Sequence, residues 1–250
     1  MKNKIFVDLH TCIQGEGKYA GIPHILIRFS GCNLNCSWYQ SICDTSYASW
    51  KPESPTYTLE DLNDLLNQYP QINHIMITGG EPSINKNLIP TIEFIRNKEQ
   101  KYFITMETNG THYVDNSSID YLSISPKMSN STPVISKIVK DYKGNSIEIT
   151  NEMFLKHELH RNNYIETKKW IDDSKDFQLK FVYHNSIKQE ILDLIKELNV
   201  SNKNVYIMPE GITNEQLSVS RKEIVDFCIE HGFNYTDRLH IVIYGNQRVS

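Results

Sequence analysis

Residues 25–45 read ILIRFSGCNLNCSWYQSICDT, an apolar strand pattern running straight into a loop that carries Cys32, Cys36 and Cys43. The only other cysteines, Cys12 and Cys228, are far apart and have no partners at ligand spacing. Thiolates are soft ligands suited to zinc, copper or iron–sulfur clusters. A structural zinc site is closed by four ligands, commonly in paired Cys-x₂-Cys units. Here a fourth would have to come from a distance, from Cys12 or a histidine. A three-thiolate iron–sulfur cluster with one open iron accounts for the count better, and an open position is where chemistry occurs.

Working outward, the strand-then-loop arrangement recurs. Short β-rich runs at residues 25–29, 75–78, 102–105, 121–125, 178–182, 205–208 and 240–243 are expected as strands. Helical patterns lie between them. One starts at Thr58, with Asp61 completing a capping-box-like pair, and another follows Asn87. A third starts at Ser186 with Gln189, and a last runs from Thr213 to His231 before Gly232. Alternating strands and helices make an α/β protein with a parallel sheet, either a full or partial barrel or an open doubly wound sheet. Both place ligands at the carboxyl ends of the strands. The notable motifs obey that rule. The cysteine loop, TGGEP at residues 78–82, METNGT at 106–111 and SPK at 125–127 end four successive strands. Residues 128–176 are polar without a clean strand and are expected as an insertion of helices and loops in a single domain spanning 1–250.

Composition narrows the class. The chain has 250 residues, 39 % hydrophobic and 22 % charged, enough for one sizeable core. A net charge of -4 carries no nucleic-acid footprint. No apolar run is long enough to span a membrane, and the start lacks the apolar region of a secretory signal. A cytoplasmic location follows, where thiols stay reduced and a cysteine cluster points to metal rather than disulfides.

A cysteine loop after one strand and GGEP after the next resembles the radical S-adenosylmethionine (SAM) superfamily. That resemblance implies a partial or modified (β/α)6 TIM-like barrel in which Cys32, Cys36 and Cys43 bind a [4Fe-4S] cluster. The cluster's open iron would hold SAM, and its reductive cleavage would give a 5′-deoxyadenosyl radical. A narrower resemblance is carried by residues 13–17 (IQGEG), 21–23 (GIP), Ile27-Arg28, residues 31–34 (GCNL) and Cys43-Asp44-Thr45. These are similar to the 7-carboxy-7-deazaguanine synthase family, which converts 6-carboxy-5,6,7,8-tetrahydropterin to 7-carboxy-7-deazaguanine and releases ammonia. The resemblance covers the first half well, then fades until LKFV at 179–182. It implies substrate contacts by Ile13, Gln14, Gly15, Glu16, Arg28 and Thr78. It implies SAM contacts by Trp38, Ile42, Cys43, Asp44, Gly79, Gly80, Glu81, Glu107, Ser125, Pro126 and Lys127, and a Mg²⁺ contact by Thr45. An electron donor such as flavodoxin and a homodimer are also implied. The chemistry agrees, since a pterin edge suits amide-like partners and an arginine fork suits a carboxylate.

One departure stands out. The family's simplest spacing is Cys-x₃-Cys-x₂-Cys, whereas six residues separate Cys36 from Cys43. Either Tyr39 replaces a lost ligand or four residues are inserted; the second keeps Cys43-Asp44-Thr45 intact. The residue that packs against the adenine is then Trp38, Tyr39 or Ile42. Other features take ordinary readings. Arg28 could be a snorkelling surface arginine and Thr45 a loop hydroxyl. Cys228 shares a helical face with Leu217 and Ile224 and is expected in the core, while HELH at 157–160 lacks the spacing of a zinc protease. The rival functions are a radical-SAM activating enzyme for a glycyl-radical partner and a non-catalytic metal-binding module.

Overall fold

A computed structural model describes residues 3–39, 41–115 and 117–248. Its main sheet holds β1 (Asp8–Ile13), β2 (Pro23–Phe29), β3 (His74–Gly79), β4 (Phe103–Thr108), β5 (Tyr121–Ile124), β8 (Phe177–Tyr183), β9 (Val205–Pro209) and β10 (Asn234–Tyr235), in that order. From β2 onward every neighbouring pair is parallel, and β1 runs antiparallel to β2. The order follows the chain without reversal. Right-handed crossovers then place their helices on one face, and the sheet curls around the other. This is a partial barrel and not a doubly wound sheet; among the described residues no pairing joins β1 to β10.

The period-two alternation of each strand separates the two faces. Ile25, Ile27 and Phe29 of β2, Ile75 and Ile77 of β3, and Leu179 and Phe181 of β8 belong to the core beneath the helices. Their alternates, including His24, Leu26, Arg28, Met76, Thr78, Lys180 and Val182, line a cavity on the concave side. The crossover helices include α1 (Leu59–Gln68), α2 (Leu88–Arg96) and α5 (Lys188–Leu198). Thr58 caps α1 as expected, accepting from Asp61 N while the Asp61 carboxylate accepts from Thr58 N at 2.7 Å.

Several expectations are corrected. Residues 240–243 form part of a helix, α8 (Leu239–Tyr244), and not a strand. A short apolar run fits either period, and here only Ile241 is buried, with Val242 and Ile243 exposed. The Ser186–Gln189 cap is not made; residues Asn185–Ile187 form a 3₁₀ turn and α5 begins after it. The last helical run is broken into α6 (Asn214–Ser218) and α7 (Arg221–His231), which Gly232 ends at φ +68°. Between β5 and β8 lie a hairpin of β6 (Ile138–Lys140) and β7 (Ser146–Glu148) and two helices, α3 (Asn151–Arg161) and α4 (Tyr164–Asp173). Strand β1 is an addition to the expected elements.

Candidate functional site

The concave face encloses a cavity of about 450 Å³, a size suited to small ligands. Cys32, Cys36 and Cys43 all line it, and all are free thiols. The widened gap between Cys36 and Cys43 is taken up locally. Trp38 N donates to Ser41 O at 2.8 Å, Ser37 and Ile42 bridge as antiparallel partners, and Cys43 N donates to Cys36 O at 3.1 Å. These contacts bring Cys43 back beside Cys36. Trp38 and Ile42 line the cavity, whereas Tyr39 is 86 % exposed at the tip.

The other motifs fix this loop. A Cβ on Gly80 would lie 2.3 Å from Ala48 O and 2.4 Å from Gly31 O, so only glycine lets the TGGEP turn press against the cysteine segment. Glu81 does not line the cavity. It is fully buried, and its carboxylate accepts from Ser83 N (3.0 Å), Thr108 Oγ1 (2.7 Å) and Asn109 N (2.6 Å), tying the ends of β3 and β4 together. Asn109 Nδ2 donates in turn to Asn33 Oδ1 at 2.9 Å, inside the cysteine loop. From the other side Trp50 Nε1 donates to Cys36 O at 3.0 Å. His157 on α3 faces Asn35 N through Nδ1 and Ser131 Oγ through Nε2, at 3.3 and 3.2 Å. With Asn35 N as donor, Nδ1 accepts and Nε2 carries the proton.

Burial pushes the thiols of Cys36 and Cys43 up, and that of Cys32 to about 12, helped by the Glu81 carboxylate. Thiolates here therefore need a cationic partner, which bound iron provides. Among the described residues, no three His, Cys, Asp or Glu side chains converge on a point suited to one metal ion. Cys32, Cys36 and Cys43 lining one cavity are the thiols that would hold an iron–sulfur cluster.

Across the cavity, the IQGEG segment closes the gap between the two edges of the sheet. Leu239 N donates to Gly15 O at 2.8 Å, and Gly17 N donates to Thr236 Oγ1 at 2.6 Å. A Cβ on Gly15 would meet His240 Nδ1 at 1.9 Å, so a side chain there would have to displace the imidazole from this seam. Glu16 lies between Lys180 of β8 and Arg238, whose Nε is 2.9 Å from Oε1. Burial raises the Glu16 carboxyl, but the two cations outweigh it and hold it well below the usual carboxylate range. Arg238 also donates to Gly211 O at 2.6 Å and pairs with Asp44, linking the IQGEG seam to the cysteine loop. Lys180 lies 3.6 Å from Glu107, which accepts from Thr78 Oγ1 at 3.0 Å.

Of the residues that the resemblance singles out, Ile13, Gln14, Arg28, Asp44, Thr45, Thr78, Gly79, Gly80, Glu107, Ser125 and Lys127 line the cavity, whereas Pro126 does not. Arg28 is 14 % exposed at its side chain, so the snorkelling reading does not hold. Sequence reasoning misses Lys180, Arg238 and His240. Only Lys180 carries a signal, a lysine alternating with core residues in LKFV.

A family model described as the radical SAM superfamily matches residues 26–160. The chain is 35 % identical to the 7-carboxy-7-deazaguanine synthase of Halobacterium salinarum, over 96 % of this chain and 90 % of that one. It is 37 % identical to the enzyme of the same name from Rhodopirellula baltica, over 94 % and 84 %. Among solved structures, QueE from Escherichia coli superposes with a TM-score of 0.58 at 21 % identity, covering 95 % of this chain and 94 % of that one. Streptococcus suis SuiB bound to its precursor peptide gives 0.52 at 13 % identity, over 85 % and 47 %, a likeness of fold alone. On its thiol loop, its partial barrel and these relatives, the chain belongs to the radical SAM superfamily and, within it, to the 7-carboxy-7-deazaguanine synthase family.

Proposed function

We propose that this chain converts 6-carboxy-5,6,7,8-tetrahydropterin to 7-carboxy-7-deazaguanine with loss of ammonia, a step toward 7-deazapurines such as queuosine. The observation that carries this reading is one cavity with three thiols on one wall and the IQGEG seam with Arg28 on the other. When bound, the [4Fe-4S] cluster and SAM supply the radical that takes a hydrogen atom from the substrate. The chain's own residues hold the reactants and exclude water.

On the cluster side, the turn at Gly79 and Gly80 offers backbone to SAM, flanked by Glu107, Ser125, Lys127, Trp38 and Ile42. Tyr39 drops out as an adenine contact because it points to solvent. On the substrate side, Gln14 and the backbone of residues 13–15 suit the amide-like edge of a pterin. A carboxylate has about four acceptor sites. Lys180 and Arg238 occupy part of this capacity in Glu16, leaving the rest for ring N–H groups. Among the described residues, Arg28 Nη2 has no partner, and it faces the cavity as a donor for the substrate carboxylate. Family resemblance assigns Mg²⁺ to Thr45, a residue of the cavity lining; the ion prefers oxygen, keeps waters and can take the remaining ligands from substrate. Family resemblance supports a cytoplasmic homodimer reduced by a carrier such as flavodoxin.

Anaerobic reconstitution tests this. About four irons per chain are expected of one cluster. Incubation with carboxytetrahydropterin, SAM and reductant should yield a deazapurine, with a further rise in rate on adding Mg²⁺. Cluster-loaded protein that cleaves SAM but forms no deazapurine would overturn the assignment.

A further inference from the structure

We infer that Asp8 is a positioning residue for Arg28, and that Arg248 and Tyr47 lock Asp8 in place, so that these four side chains together set the preference for a carboxylated pterin. The inference rests on the proposed reading that Arg28 receives the substrate carboxylate.

The antiparallel register places Asp8 of β1 directly opposite Arg28 of β2. Asp8 is buried, with its side chain 5 % exposed. Its Oδ2 accepts from Arg28 Nε at 2.9 Å and from Tyr47 OH at 2.8 Å, and its Oδ1 accepts from Arg248 Nε at 3.0 Å. Three donors thus fix one carboxylate. Arg28 Nη1 donates to Gly79 O at 3.3 Å, so two sides of the guanidinium are tied to the barrel wall. A guanidinium is planar, and fixing Nε and Nη1 fixes the direction of Nη2. That is the nitrogen left facing the cavity.

Arg248 is held with equal care. Its guanidinium lies 3.9 Å from the centre of the Tyr47 ring, and Nη1 donates to Glu53 Oε2 at 2.9 Å. Glu53 also binds Lys143 and Tyr142 from the β6–β7 hairpin. The chain from Arg248 to Arg28 therefore joins the segment after α8, the insertion and the first strand at one wall of the cavity. Surface ion pairs contribute little. This set surrounds a buried carboxylate, where removal of a partner leaves an uncompensated charge.

The test is equilibrium binding to the reconstituted holoenzyme with SAM, using 6-carboxypterin as a redox-inert fluorescent ligand and 6-methylpterin as its uncharged counterpart. Asp8→Asn and Arg248→Gln should each weaken 6-carboxypterin by about 10- to 100-fold and leave 6-methylpterin within about 2-fold. Asp8→Glu should restore part of the loss. Added to Arg28→Gln, either change should cost nothing further for the carboxylated ligand, because both act through that arginine. Iron content and the cluster spectrum check that each variant is folded, and Arg248→Gln keeps the test open if Asp8→Asn fails to fold. If Arg28→Gln leaves the preference for 6-carboxypterin intact, the assignment of the carboxylate to Arg28 fails. If Arg28→Gln abolishes the preference while Asp8→Asn and Arg248→Gln leave it unchanged, or their effects add fully to it, the positioning role is wrong.

Discussion

Glu81 shows how a motif residue can serve by holding others. The resemblance gives it a SAM contact, but its carboxylate accepts three hydrogen bonds from the ends of β3 and β4 and none of it lines the cavity. An amide cannot replace it, because the amino half of a glutamine side chain there would present its own donors to those of Thr108 or Asn109. Glu81→Gln should therefore lower unfolding stability by about 1–3 kcal/mol even without SAM. Denaturant titration of the SAM-free protein measures this; unchanged stability with weakened SAM binding would return Glu81 to the role of ligand. Other residues explain what is hard to read. Lys180 sits between Leu179 and Phe181, which face the helices, so the alternation itself points it into the cavity. Arg238 lies in a connection with no motif around it, and only the tertiary fold brings it to Glu16 and Asp44.

At the level of elements, six strands of the parallel sheet are legible because one face of each is continuously apolar and marks its position. Strand β1 is not, since its alternate positions hold His10 and Cys12, which line the cavity, and the buried Asp8, which pairs with Arg28, and these polar groups erase the usual alternation. Helix α8 reads as a strand because three apolar residues in a row carry no period of their own. The cysteine, GGEP and ETNGT segments fall at strand ends as expected, but their interlocking is not readable, as it depends on hydrogen bonds between three separate loops. Arg238 is the corresponding joint on the opposite side, binding the IQGEG seam, the cysteine loop and Gly211 at once. Arg238→Gln leaves Glu16 with one cation and Asp44 without its guanidinium partner. It should destabilise the fold by about 3–5 kcal/mol and reduce the iron retained after reconstitution. Thermal unfolding and iron analysis check both, and wild-type values for the two would refute the joint.

For the molecule as a whole, acid is the expected weakness. His24 and His157 are buried, 4 % and 0 % exposed, and burial lowers both from 6.5 to about 4. Their folded forms stay neutral where the unfolded chain takes up protons. The stability they contribute is thus complete above about pH 6.5 and is lost as pH falls toward 4. With both titrating, the slope reaches about 2.7 kcal/mol per pH unit. Urea midpoints should fall steeply between pH 6.5 and 4.5, and a flat profile there would contradict buried neutral imidazoles. The same whole-molecule view gives the seam a consequence in time. Residues 8, 16 and 17 bond to residues 248, 238 and 236. A ribosome emits the first group long before the last, so a nascent chain carries its ligand loop with the chamber still ajar. The wall that shields a radical from solvent is finished only when α8 has left the exit tunnel.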